Sequence, residues 1–351
     1  MSSIAVVHPR FKLGGGVDRV IYEVSARLRM LYGFDITIFT TDARFNNYSG
    51  IKVQLLKNLA ESPYFLQLQC TLMYMHLKPQ MFEKYDLLWL HSIPLSVPAL
   101  YIKNLCKIPV LFTFHGVRTI KDANLLIHRI SARIAFRKLD AIVTVSDYTK
   151  WEAEQYGVKP VRIYNGCDLN KFHPTWEDEN YMLYLGELTK HKCTWIPLTV
   201  SSTLKIPLII IGDGVERKRL ERYAEKINAP VKFYGLVDEH TLVRTIQKCS
   251  FMISGSVHEA FGLAFLEAEA CGKPVIARRC TAIPEVVKHK ETGFLCEDIN
   301  DYIKYARKLW KDKELRKRMG LNARKHAEKF SWDITTKKYR ELIRALLLGF
   351  S

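Results

Sequence analysis

Short, mostly β-branched apolar runs alternate with amphipathic stretches along this chain, and the whole alternation occurs twice. Residues 4–7, 36–39, 87–90, 110–114 and 141–145 read as strands, with helical periodicity between them at 18–31 and 125–138. A second series follows at 181–185, 208–211, 231–234, 251–254, 274–277 and 293–295, with helices at 214–227 and 263–271. Continuous apolar strands separated by helices imply a parallel sheet covered on both faces. The stretch 165–179, rich in Pro, Asn, Asp and Trp, lies between the two series and reads as a connector. The expected fold is therefore α/β, with two doubly wound, Rossmann-like domains facing a central cleft. Such sheets bind ligands beyond the carboxyl ends of their strands. A length of 351 residues also exceeds what one hydrophobic core usually serves.

The densest chemical signal runs from His258 to Pro274, between the strand readings 251–254 and 274–277. That places it on a strand–loop–helix–strand unit. Gly262 lets backbone approach a ligand closely, and a helix starting beside it offers unpaired N–H groups and the positive end of its dipole. A diphosphate suits such a place. Glu259 falls in the loop before the helix and Glu267 more than a turn inside it, so the two carboxylates reach different parts of one extended ligand. Carboxylates only accept hydrogen bonds, which suits the vicinal hydroxyls of a sugar or a ribose.

These residues resemble a known family. Glu259 and Glu267 match the E-x7-E signature of retaining GT-B glycosyltransferases, specifically family 4. The resemblance extends over nearly the whole chain. Gly14-Gly15-Gly16 matches the glycine loop after the first strand, and Thr113-Phe114-His115-Gly116 the active-site histidine segment. Asn165-Gly166-Cys167-Asp168 is similar to the N-G-V-D linker, Gly186 to Lys192 to G-R-L-x-x-x-K, and Gly212-Asp213-Gly214 to the G-x-G turn. Ile283-Pro284-Glu285 with Thr292-Gly293-Phe294, and Phe330-Ser331-Trp332 before the final helix, complete the set. In the family that last helix crosses back onto the first domain.

The resemblance implies an acceptor-side domain over 1–170, a donor domain over 171–330 and a returning helix over 331–351. It implies that Glu259 contacts the donor sugar, Glu267 the ribose hydroxyls, and the Phe261–Gly262–Leu263 backbone the diphosphate. Gly15, Gly16, Gly212 and Gly214 would line the donor, and His115 would orient it near the reacting centre. Lys192 would stabilise the charge developing on the leaving diphosphate. Retention of anomeric configuration, a UDP- or GDP-sugar as donor substrate, no other cofactor and no metal are also implied. Consistent with that, no D-x-D occurs, and Glu177-Asp178-Glu179 lies in the connector.

Three departures from the family pattern stand out. Glu187 replaces a usual arginine, Cys193 a glycine after Lys192, and Cys280-Thr281-Ala282 a Gly-Gly before the I-P-E segment. A carboxylate at 187 would repel a diphosphate unless it faces away or pairs with Lys190 or Lys192. Arg278 and Arg279, where relatives carry small residues, are candidates for the missing phosphate-binding cation.

Several residues keep a plainer reading beside the functional one. Glu269 reads as part of a solvated helix face, and His76, His128 and His326 as structural. His91, at the end of 87–90, is open between a structural and a site role. Residues 64–82 are either an apolar acceptor wall or core.

The formal net charge of +17 is spread along the chain, with 21 Lys and Arg against 13 Asp and Glu up to Asn170 and 32 against 23 beyond it. Nucleic acid, anionic lipid and phosphorylated substrates could each use it. No basic–aromatic interleaving points to nucleic acid. Arg129, Arg133, Arg137 and Lys138 recur at helical spacing and form either a solvated face or a patch for an anionic membrane, as a lipid-linked acceptor would need. The eight cysteines include no C-x-x-C pair and read as small buried hydrophobes. Neither a signal peptide nor a membrane-spanning run is legible, so the expected location is cytoplasmic, peripheral at the membrane face if the patch is used. The alternatives are a sugar-nucleotide epimerase on the same scaffold and a basic, non-enzymatic nucleic-acid-binding protein.

Overall fold

The computed structural model describes residues 2–9, 11, 15–43, 50–56, 77–116 and 133–349. Gly14, Arg129, His76, His128, residues 64–76 and most of the 125–138 helix reading lie outside them. The chain divides into two compact units. The first is Met1–Asn165 with Trp332–Ser351, the second Gly166–Ser331.

In the first unit the strands are β1 (Ser3–Val7), β2 (Asp35–Thr40), β3 (Lys52–Leu55), β4 (Leu87–Leu90), β5 (Val110–Phe114), β6 (Ala141–Thr144) and β7 (Val161–Arg162). They form one parallel sheet in the order β3-β2-β1-β4-β5-β6-β7. Every residue of β4 and β5 is buried, which explains their uninterrupted apolar sequence. Strand order reverses between β1 and β4, and at such a reversal the following connections leave on opposite faces and open a crevice. His8 follows β1, His91 follows β4 and His115 follows β5, so all three meet that edge.

The helix Trp332–Leu348 packs on the helix Gly16–Tyr32 and belongs to this unit. Its Tyr339 hydroxyl lies 3.1 Å from Thr113 Oγ1, which also accepts from Trp89 Nε1 at 2.9 Å. Arg27 Nε reaches Asp333 Oδ1 at 3.0 Å. A buried three-residue hydrogen-bond chain thus fixes the returning helix to β4 and β5. The described part of 64–82 contributes Leu77 and Phe82 to the core, where Phe82 packs against Phe39.

The second unit contains β8 (Met182–Leu185), β9 (Leu208–Ile211), β10 (Val231–Gly235), β11 (Phe251–Ser254), β12 (Val275–Arg278) and β13 (Gly293–Cys296). These are again all parallel, in the order β10-β9-β8-β11-β12-β13, with the reversal between β8 and β11.

Residues 166–179, expected to form a connector, are tied into this unit. Arg316 donates from Nη2 to Asp178 Oδ2 at 2.7 Å, and Lys273 Nζ donates to the Glu177 carbonyl at 2.6 Å. Arg324 Nη1 bonds the carbonyls of Phe172 and Ala270. Its Pro and Trp content reflects packing: Trp176 and Pro174 lie against Gly272. Glu177 and Glu179 both pair with Lys248, so the acidic triplet is spent on ion pairs.

Among the described residues no helix is long and apolar enough to cross a membrane. The seven described cysteines are free thiols, four buried and three half-buried.

Candidate active site

In the second unit the carboxyl ends of β8 and β9, beside the strand reversal, are built by backbone that passes very close to itself. Gly212, just after β9, has φ +132°, and a Cβ there would stand 2.0 Å from the Gly186 carbonyl oxygen after β8. Only a residue without a side chain lets these two strand ends approach. The chain from Gly186 then turns through Lys190–Lys192, and Val257 N donates to the His191 carbonyl at 3.0 Å. That bond draws the loop after β11 against the loop after β8.

The result brings together two residues 67 positions apart. Lys192 Nζ and Glu259 Oε1 form a half-buried ion pair at 2.6 Å. Glu259 is held from its backbone side as well, its N–H donating to Thr281 Oγ1 at 3.0 Å. Thr281 was not anticipated as a site residue. It lies at φ +47°, and Cys193 at φ +45°. These are two of the positions where the family pattern has glycine. Left-handed backbone explains that preference, and a β-branched residue there costs of the order of 1–3 kcal/mol. In this chain the Thr281 hydroxyl gains a contact to Glu259 that glycine lacks.

Gly262 precedes the helix Leu263–Ala270 with φ +101°, and a Cβ on it would meet the Phe265 ring at 2.7 Å. No side chain caps this helix. Asp238, Asp298 and Asp312 do cap the helices that follow them. An uncapped start leaves its first N–H groups for a ligand. Phe261 is buried against Phe330, ring centroids 5.9 Å apart, which anchors the loop. Glu267 is buried one turn into the helix at 5% exposure.

Glu269 corrects the solvated-face reading. It is fully buried, its carboxylate accepting from Thr292 Oγ1 at 2.5 Å and contacting His326 Nδ1 at 3.0 Å. Burial pushes its carboxyl pKa up, against the opposing hydrogen bonds from His326 and Thr292. It ties the helix Leu263–Ala270 to the helix Lys313–Ala327 and to the turn before β13. The helix buries both its faces here, so a charged residue inside it must find partners. The structural reading of His326 agrees with this pairing.

Glu187 is exposed and pairs with neither Lys190 nor Lys192 among the described residues. It therefore leaves Lys192 to Glu259. The two arginines differ. Arg279 is exposed and its Nε bonds Glu297 Oε1 at 2.9 Å, just beyond the end of β13. Arg278, the half-buried last residue of β12, forms no ion pair among the described residues. Gly214 stands against the Leu188 carbonyl, 2.4 Å from where a Cβ would be.

In the first unit Gly15 and Gly16 are exposed at the uncapped start of the helix Gly16–Tyr32. Asp18 lies beside them, within 3.4 Å of His8 Nε2. A carboxylate at that helix start suits sugar hydroxyls better than phosphate. His115 Nε2 lies 3.1 Å from His91 Nδ1, the rings stacked at 5.4 Å. Burial lowers the pKa of both; that of His115 falls to about 3, with His8 adding to the effect. Both rings are neutral at ordinary pH.

Comparison with known proteins agrees with this geometry. The profile of Glycosyl transferases group 1 matches residues 168–326, and that of Glycosyltransferase Family 4 matches residues 14–171. An uncharacterised glycosyltransferase of Methanocaldococcus jannaschii is 30% identical over 260 residues, spanning 72% of this chain and 73% of its own. The chain belongs to the group 1 glycosyltransferases. A GDP-mannose-dependent alpha-(1-6)-phosphatidylinositol dimannoside mannosyltransferase of Mycobacterium tuberculosis is 28% identical over 55% of this glycosyltransferase and 54% of itself. Among solved structures, Anabaena HepE in complex with UDP and glucose superposes with a TM-score of 0.83 at 18% identity, covering 98% of this chain and 100% of HepE. The fold is GT-B. Family membership sets aside the non-enzymatic nucleic-acid reading.

Proposed function

We propose that this glycosyltransferase moves a sugar from a nucleotide-diphosphate sugar to an acceptor hydroxyl, with retention of anomeric configuration and without a metal. The observation that carries the reading is the Lys192–Glu259 pair, set at the strand reversal beside an uncapped helix that carries the buried Glu267. A diphosphate bound at the Phe261–Gly262–Leu263 backbone would draw the Lys192 ammonium to itself. Glu259 would then be free to accept from a sugar hydroxyl, while Glu267 accepts from the ribose. Arg278 is the further cation for the phosphates, and His115 orients the sugar.

In the reaction the bond from the anomeric carbon to the β-phosphate oxygen breaks and one to the acceptor oxygen forms on the same face. The acceptor proton passes to the departing phosphate oxygen. Lys192 and the helix start stabilise the charge that develops there. Positioning supplies the rest of the rate enhancement. A UDP-bound structural neighbour and a GDP-mannose-dependent relative support a UDP- or GDP-sugar donor.

The relative acting on phosphatidylinositol dimannoside supports a lipid-linked acceptor. Exposed Ile134 between the exposed Arg133 and Arg137 supports peripheral attachment to the cytoplasmic membrane face. The test is nucleoside-diphosphate release from a panel of UDP-, GDP- and ADP-sugars in EDTA, with the anomeric configuration of the product read by NMR. Release from one donor class, undiminished by EDTA and with the donor's configuration kept, is the expected result. Inversion, or abolition by EDTA, overturns the proposed mechanism.

A further inference from the structure

The geometry points to His91 as a positioning residue that holds His115 in the tautomer protonated on Nδ1, so that His115 meets the donor sugar as a hydrogen-bond donor. This rests on the reading of His115 given above.

The two histidines follow neighbouring parallel strands whose register pairs Leu90 with Phe112 and so sets His91 opposite Thr113, with His115 two residues further along the same face, where the rings meet, stacked at 5.4 Å. The His91 ring has little freedom. It packs on Trp89, ring centroids 4.7 Å apart, and meets His8 edge-on at 6.3 Å. Trp89 is itself locked through Thr113 to Tyr339 of the returning helix. His91 is 5% exposed, and the groups facing it are His115, His8 and, behind His8, Asp18.

Burial and the neighbouring imidazoles keep both rings neutral, so each carries one proton. Only one hydrogen fits between Nδ1 of His91 and Nε2 of His115 at 3.1 Å. Two arrangements are possible. If His115 donates from Nε2, His91 must carry its proton on Nε2. That atom is buried, with no hydrogen-bond partner among the described residues. If His91 donates from Nδ1, its Nε2 is a bare lone pair instead. Among buried backbone groups an orphaned N–H is rarer than an under-satisfied carbonyl, and we carry the same preference over to the imidazole. The second arrangement wins. It leaves His115 with a lone pair engaged by His91 and with Nδ1–H as the one polar group it can offer a ligand. A sugar hydroxyl oxygen accepts from such a donor.

Long-range nitrogen–proton NMR of the full chain labelled with 15N-histidine reads the tautomer without substrate, the His115 signals being identified by their loss in His115→Gln. The expected pattern is a protonated-type Nδ1 and an unprotonated-type Nε2. The opposite pattern overturns the inference.

Kinetics give a second arm. His91→Asn keeps an N–H near the position of Nδ1 and should hold kcat/KM within about threefold. His91→Asp can only accept, puts a proton on Nε2 of His115 and, with the His115 ring shown to be neutral in that variant by the same NMR, should lower kcat/KM about tenfold, the worth of one hydrogen bond. Equal activity of the Asp and Asn variants also overturns it. A His115→Ala variant with wild-type kcat/KM would instead sink the underlying role of His115, whatever the tautomer.

Discussion

Lys192→Ala lowers kcat by roughly 10²–10³-fold, the usual cost of removing one group that stabilises charge developing in a transition state. Lys192 is held beside the helix start by a 2.6 Å pair to Glu259, and it passes from Glu259 to the diphosphate when the donor binds, before the chemical step. Little reorganisation is then needed as the diphosphate departs. Glu259→Gln keeps the side chain's shape but loses its negative charge, and should cost comparably in kcat while weakening the hold on the sugar. Removing either partner also leaves the other half-buried and unpaired, so the double variant should be less impaired than the product of the two single effects. Steady-state diphosphate release, with the melting temperature of each variant as a control for folding, checks the set. A Lys192→Ala enzyme within threefold of wild type would mean that leaving-group stabilisation comes from elsewhere, with Arg278 the first alternative.

Glu269→Ala should cost about 2–4 kcal/mol of stability, because the hydroxyl of Thr292 and the ring of His326 lose a buried partner and a cavity opens. Glu269→Gln should cost less, and its effect should depend on pH. Burial raises the folded-state pKa of Glu269 above its usual value of 4.5. A raised carboxyl pKa means the native state binds a proton more readily than the unfolded chain. The penalty on the charged form is therefore relieved as pH falls through the folded pKa toward 4.5. The glutamine variant has no such term. Its stability deficit relative to wild type should widen as pH is lowered from 7 toward the ordinary carboxyl value of 4.5, measured by urea unfolding at each pH. His91 and His115, whose lowered pKa values pull in the opposite direction, are common to both proteins and cancel in the difference. A deficit that shrinks over this range would contradict the burial argument.

The central strands were legible in the sequence because buried parallel strands must be apolar throughout. The readings at 87–90, 110–114, 208–211 and 251–254 coincide with β4, β5, β9 and β11. The strands that escaped notice are β3 and β7, at the two edges of the first sheet. Lys52–Leu55 is largely exposed and Val161–Arg162 only two residues long, so neither presents an apolar run. The residues of the site were legible by type, but their pairing was not. Lys192 and Glu259 meet only because the loops after β8 and β11 are drawn together at a strand reversal, which no local pattern encodes.

Glu269 was misread for a related reason. A helical glutamate is normally solvated, and its burial comes from the helix Lys313–Ala327 packing over it, more than forty residues later. The departures at Cys193 and Thr281 were visible as substitutions, yet their meaning depends on a left-handed backbone that composition does not reveal.

The most direct test of the donor site is calorimetric titration of the full chain with UDP and with GDP, in EDTA, for wild type and Glu267→Ala. The predicted result is that one nucleotide binds the wild type, and that the variant binds it at least tenfold more weakly through loss of the charge-assisted hydrogen bonds to the ribose. Equal affinity of the two proteins, or binding of neither nucleotide, would contradict a donor site built on the helix Leu263–Ala270.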